Sequence, residues 1–196
     1  MIVYVDPWIL EEGIIPLEDL TLEEVLRRGE TQRDRDRDLN RVSLRNYPAV
    51  LQAAIYKSKS NVQSGEPEVT RLATKLGARI LQSFPEIRQL DELKTAMSPD
   101  PFSPWEWAAA FTSRRYELRG AIFLQSGARR SVPLFGWVHG LLSELASITS
   151  LPTSQMTVLA IVAGISRSRG LPEQLVRACQ EEIKEFRRFL RKGFGL

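Results

Sequence analysis

The chain has 196 residues, 43% of them hydrophobic and 26% charged, with a formal net charge of +3; that suffices for one domain of ordinary size or two small ones. No apolar run approaches the roughly 18 residues of a membrane span, and the N-terminus lacks the basic stretch and apolar run of a cleaved signal peptide. The single cysteine, Cys179, excludes an internal disulfide framework and a cysteine metal cluster. These features describe a protein of the reducing cytoplasm with no membrane partner.

The charge is unevenly spread. Residues 1–30 hold eight acids (Asp6, Glu11, Glu12, Glu18, Asp19, Glu23, Glu24, Glu30) and two bases (Arg27, Arg28), a net of −6, so the remainder carries +9. An acidic head on a basic body suits a polyanion binder with a separate arm or cap.

In chain order, residues 2–5 read as a short edge strand stopped by Asp6-Pro7. Thr21 caps a brief helix through Arg28, with Glu24 completing a capping box and Gly29 ending it. Residues 31–40, a mixed-charge run with no apolar face, read as a solvated tether, either a plain linker or a phosphate-touching arm. In residues 41–48, Arg-Val-Ser-Leu-Arg-Asn-Tyr-Pro, apolar and polar positions alternate as in a strand with one buried face. Val42 and Leu44 point inward, and Arg41, Ser43 and Arg45 point outward together. A strand with a basic, polar free face fits the DNA major groove.

Helices are then expected over 48–58, from Glu66-Pro67 through Leu81, and after Phe84-Pro85-Glu86, with a polar loop at 58–65. Residues 98–104 contain three prolines and mark the clearest boundary. Residues 105–125 are mostly compatible with a helix capped by Ser103 and closed by Gly127, although the 122–124 end is also compatible with extended chain. Residues 129–134 alternate again. A helix carrying Trp137, Val138, Leu141, Leu142, Leu145 and Ile148 follows, then a turn at 150–154, an apolar helix over 156–165, and a last helix opened by Leu171-Pro172-Glu173. The organisation expected is an acidic segment and charged linker (1–40), a first unit (41–98), a proline-rich linker (99–104) and a second unit (105–196).

The two units are related. An offset of 90 places Val42 on Val132, Leu44 on Leu134, Tyr47 on Trp137, Leu51 on Leu141 and Ile55 on Leu145. An offset of 87 places Thr70 on Thr157, Leu72 on Leu159, Ala73 on Ala160, Gly77 on Gly164 and Pro85-Glu86 on Pro172-Glu173. A three-residue difference in the loop between helices reconciles both. A lone short strand is unstable, but two copies supply two strands that can pair antiparallel above the helices.

Strand, helix and helix, with an inward Val-x-Leu, an outward arginine and a helix-starting proline, resemble the ribbon-helix-helix DNA-binding proteins, the group that includes the Arc and MetJ repressors. Residues 42–51 carry the strand and first-helix start, with one extra residue before the aromatic. Leu141-Leu142-Ser143-Glu144-Leu145-Ala146, Leu151-Pro152-Thr153-Ser154 and the 156–165 helix carry the two-helix portion. The resemblance covers 41–82 and 129–166. It implies a mainly α fold with a short two-stranded antiparallel ribbon, a tandem pseudo-dimer with additional helices. Base edges would be read by Arg41, Ser43 and Arg45 from copy one and by Arg129 and Ser131 from copy two, where Pro133 departs from the pattern because proline cannot donate. That leaves copy two as an asymmetric reader or as the structural mate of copy one. The resemblance also implies phosphate contacts at the start of each second helix, at Ser64 and Gly65 and at Thr153 and Ser154.

No enzyme and no cofactor are expected. His139, the only histidine, reads as a surface residue, and Cys179 among Leu175, Val176 and Ile183 reads as a core thiol. Trp105, Trp107, Phe111 and Trp137 read as packing residues. Lys184, Arg187, Arg188, Arg191 and Lys192 form a basic face suited to a helix C-terminus, with a secondary phosphate contact as the sharper alternative. The leading expectation is a sequence-specific double-stranded-DNA-binding repressor or plasmid or mobile-element regulator. The competing one is a helical protein-interaction subunit of a nucleoprotein complex. Residues 1–30 or the C-terminal helix are the surfaces for self-association or a protein partner.

Overall fold

A computed structural model describes residues 16–35, 39–60, 65–96, 114–124 and 127–195. Eight α-helices and one two-stranded antiparallel sheet lie among them: α1 (Leu22–Arg28), α2 (Gln32–Arg35), β1 (Asn40–Tyr47), α3 (Ala49–Ser60), α4 (Glu66–Gln82), α5 (Pro85–Ala96), a 3₁₀ turn (Ala121–Phe123), β2 (Ala128–Leu134), α6 (Gly136–Thr149), α7 (Thr153–Ile165) and α8 (Glu173–Phe194). The fold is mainly helical with a small sheet. The expected strand at 2–5 and the proline-rich boundary lie outside the described residues.

At the centre α4 and α7 cross. α7 is buried almost all round, from Met156 and Thr157 through Leu159–Ile165, as befits a helix with little polar surface. The crossing is close because each helix offers a glycine to the other's backbone. A Cβ on Gly77 would overlap the Ala160 carbonyl, and one on Gly164 would overlap that of Ala73. The two contacts are reciprocal, since Gly77 and Ala73 map onto Gly164 and Ala160 at the same offset. Side-chain detail repeats too: the Thr70 hydroxyl donates to the Glu66 carbonyl at 2.9 Å, and the Thr157 hydroxyl to the Thr153 carbonyl at 2.8 Å.

The strands obey the same symmetry. Val42 lies opposite Val132, Arg41 opposite Pro133, Ser43 opposite Ser131, Asn40 opposite Leu134 and Leu44 opposite Arg130. A residue facing its own counterpart, with flanking pairs exchanged, places a local two-fold axis between Val42 and Val132. The strands are swapped over the helices: β1 packs on α7 and β2 on α4. Val42, Leu44, Val132 and Leu134 thereby join one continuous apolar core with both central helices. Each half completes the other.

The expected capping box of α1 is only half formed. The Thr21 hydroxyl accepts from the Glu24 N–H at 3.2 Å, and Gly29 ends the helix at φ 71°. The Glu24 carboxylate turns instead to Arg27 and Arg28, whose hydrogen bonds hold its pKa down at about 2. Glu23 clamps the far side of the fold, accepting from the Ser168 hydroxyl and from the Arg169 and Gly170 amides, both at 2.9 Å.

Two expectations need correction. The described start of the 31–40 run is not a free tether: 32–35 form α2, held by a buried carboxylate described below. Nor is the described stretch of 105–125 an α-helix. Residues 114–119 run irregularly into the 3₁₀ turn. The physical reason is Glu182 on α8, whose buried carboxylate accepts from the Arg119 and Gly120 amides at 3.0 and 2.9 Å and from the Tyr116 hydroxyl at 2.6 Å. One acid supplies the acceptors that a helix would have supplied. Cys179, on the same helix, is buried, and burial together with the Glu182 charge pushes its thiol up to about 12. Among the described residues no single helix is long and apolar enough to cross a membrane.

Two outcomes follow from these contacts. Gly77→Ala or Gly164→Ala must push the paired backbones apart, and each is expected to cost about 3 kcal/mol in urea denaturation, overpacking outweighing the alanine helix preference of about 1 kcal/mol. Burial pushes the Glu23 pKa up, but donation from Ser168, Arg169 and Gly170 outweighs it and holds the value below the ordinary 4.5. A depressed folded-state pKa gives stability that is present above 4.5 and is lost as pH falls through the lowered value. Glu23→Gln is therefore expected to lower stability at neutral pH and to flatten its decline below pH 4.5.

Candidate nucleic-acid interface

On the ribbon, exposed basic side chains alternate with buried apolar ones. Along β1, burial alternates: Arg41, Ser43 and Arg45 are exposed, while Val42 and Leu44 are buried. Along β2, Arg129, Arg130 and Ser131 are exposed, Val132 and Leu134 are buried, and Pro133 lies between. The apolar face must stay on the core, because a one-residue slip would exchange the two faces. Arg41, Ser43, Arg45, Arg129, Ser131 and Pro133 consequently share the solvent side of one ribbon. The Arg129 Nε donates to the Ser43 hydroxyl at 3.3 Å across the strands, which leaves its terminal amines outward. Among the described residues Arg41 and Arg45 have no hydrogen bond or ion pair. Most other arginines near the core are paired.

The extra residue before the aromatic also has a structural place. Pairing passes from Leu44–Arg130 directly to Tyr47–Ala128, so β1 spends one residue more than β2 over that step. This bulge turns Tyr47 into the core, where it is 3% exposed and burial pushes its phenol pKa up. Gly127 accommodates it, since a Cβ there would meet the Tyr47 carbonyl.

The two helix starts differ. Gly65 caps α4 and is exposed, but Pro67 lacks an N–H, and Glu66 and Glu68 fill the first turn with negative charge. Gln52 donates to Glu66. Ser64 lies outside the described residues. At α7, Thr153 and Ser154 follow Pro152 with no acid in the first turn and no side-chain cap. The positive end of α7 is thus left open to an anion, whereas that of α4 is largely met by its own carboxylates.

The C-terminal basic face is mostly engaged with its own acids. Arg187 and Arg191 reach Glu86 at 3.0 and 3.6 Å, Lys184 reaches Glu181 at 2.6 Å, and Arg188 pairs with Glu185. His139 is partly exposed on α6. Trp105, Trp107 and Phe111 lie outside the described residues.

Sequence reasoning missed the anchor that delivers β1. Thr31 and Asp34 cap α2 reciprocally: the Asp34 amide donates to the Thr31 hydroxyl at 3.4 Å, and the Thr31 amide to the Asp34 carboxylate at 2.9 Å. Asp34 is only 2% exposed. It forms a buried ion pair with Lys75 on α4 and accepts from the Trp137 indole on α6 at 2.9 Å. The Arg33 guanidinium lies 4.6 Å above the Trp137 ring, and Glu30 accepts from Arg71 at 3.1 Å. The available signal was Lys75, a lysine inside the apolar stretch of α4, which demands a buried partner.

No protein-family model, no curated protein and no solved structure matches the chain.

Removing the Asp34 carboxylate would leave the Lys75 cation buried without it. Asp34→Ala is expected to cost about 3–5 kcal/mol. Combining it with Lys75→Met should restore most of that loss in denaturant titrations, because an apolar replacement removes the stranded charge as well.

Proposed function

We propose that this chain is a sequence-specific double-stranded-DNA-binding protein built as a tandem ribbon-helix-helix pseudo-dimer. The observation that carries the reading is the ribbon itself. Its inward residues are locked into the core, and its outward face presents Arg41, Ser43, Arg45, Arg129 and Ser131 together. A two-stranded ribbon is of a width that enters the major groove, and arginine bonds the O6 and N7 of guanine with two parallel donors. The reciprocal pairing about Val42 and Val132, and the reciprocal glycine contacts of α4 and α7, support two copies of strand–helix–helix. Thr153 and Ser154 at α7 would grip one phosphate, with Ser64 and Gly65 as the corresponding place in copy one.

Such a protein acts as a transcriptional repressor or as a regulator of a plasmid or mobile element, in the cytoplasm and without an organic cofactor. Residues 1–30 and α8 remain the surfaces for a protein partner. A helical interaction subunit of a nucleoprotein complex is the second reading. It is favoured by the amount of helix outside the two copies and needs no ribbon. Selection from random duplex DNA separates the two, because enrichment of a sequence belongs only to the first.

Arg41→Ala combined with Arg45→Ala leaves the core untouched and should unfold like the parent. Binding to a duplex selected from random sequence should weaken roughly 30-fold or more, two contacts at ~1–3 kcal/mol each. Affinity should also fall steeply with salt, in proportion to the phosphates neutralised. Unchanged affinity in the double variant would sink the reading.

A further inference from the structure

The outward face of the ribbon is not symmetric, although the pairing of residues 40–44 with 130–134 beneath it is. The local axis passes between Val42 and Val132, so Ser131 stands where symmetry would require a second Arg41, and Pro133 where it would require a second Ser43. From the axis toward the end of β1, the ribbon presents Ser43 and Ser131, then the exposed arginines Arg45 and Arg129; Arg130 is exposed as well but pairs opposite Leu44, at a position of core-facing parity. Toward the other end it presents Arg41 opposite Pro133, then Leu39, which is 50% exposed. One end of the outward face therefore gathers two guanidiniums, and the other sets a single arginine beside two apolar side chains.

These two ends suit different bases. Outward guanidiniums match the paired acceptors of guanine, whereas the exposed Leu39 and the half-buried Pro133 can contact the methyl group of thymine but cannot donate to any base. We propose that the ribbon recognises a non-palindromic duplex in one fixed orientation, with guanines beneath Arg45 and Arg129 and thymine methyls beneath Leu39 and Pro133. This inference rests on the ribbon reading above and specifies its ligand. A homodimer presents the same residues to both half-sites. A single chain is free of that constraint, and the departure at Pro133 has a function under this reading.

Selection of bound duplexes from a random-core pool by the full chain tests it directly. The expected product is an asymmetric consensus, guanine-rich on one flank and thymine-rich on the other. Arg45→Ala with Arg129→Ala should then relax the guanine flank by about 30-fold or more against mismatched duplexes while leaving the other flank's preference in place. Leu39→Ala should do the reverse, relaxing only discrimination between thymine and uracil at the opposite flank. A palindromic consensus would overturn the polarity while leaving ribbon recognition standing. So would an asymmetric consensus whose guanine flank is indifferent to the arginine pair. Failure to enrich any sequence would overturn both.

Discussion

Where α4 and α7 cross, Gly77 lies against the Ala160 carbonyl and Gly164 against that of Ala73, with no side chain between the backbones. That approach sets the spacing of everything above and around it. Because the helices are so close, each can serve as the floor for the strand of the opposite half, β1 on α7 and β2 on α4. The inward residues of the ribbon then become core residues, and the outward ones are carried on a backbone that this packing holds in place. Neither half has a complete core alone. The ribbon, the helix crossing and the burial of Tyr47 are one packing solution.

The segment before β1 adds an electrostatic constraint to this apolar one. Asp34 and Lys75 form an ion pair whose side chains are 0% and 3% exposed, and desolvating them is expensive unless every lone pair is used. Here the Thr31 amide and the Trp137 indole also donate to the carboxylate. A hydrophobic pair could match this in stability but not in direction. The carboxylate accepts from α4, α6 and its own helix cap at once, so it fixes where the chain enters β1 relative to both halves.

Much of this was legible in the residues. The period-two alternation of 41–45 and 129–134 and the caps at Thr21 and Gly29 located strands and helices. The offset that aligned Gly77 with Gly164 marked the helix crossing, although sequence alone did not say that these glycines meet the opposite backbone. Two regions misled for a shared reason. Residues 31–35 look like solvated charge and residues 114–120 like a helix, because pattern reading counts local neighbours. Their actual partners, Lys75, Trp137 and Glu182, are far away in sequence. Of the candidate site, the outward arginines were readable from parity. Which outward residues share each end of the ribbon required knowing which residues lie opposite one another.

Pairing β1 with β2 inside one polypeptide also changes the order of the process that builds the ribbon. Two separate chains must meet, so the fraction assembled depends on their concentration and falls on dilution. Here the strands are joined, Val42 facing Val132 across the intervening chain, and assembly is first order. The cost is a long loop to close, which grows only slowly with length but delays the non-local pairing during folding. A few copies per cell would thus carry the same fraction of finished ribbon as a concentrated solution. A nascent chain that has not yet released β2 from the ribosome would carry none.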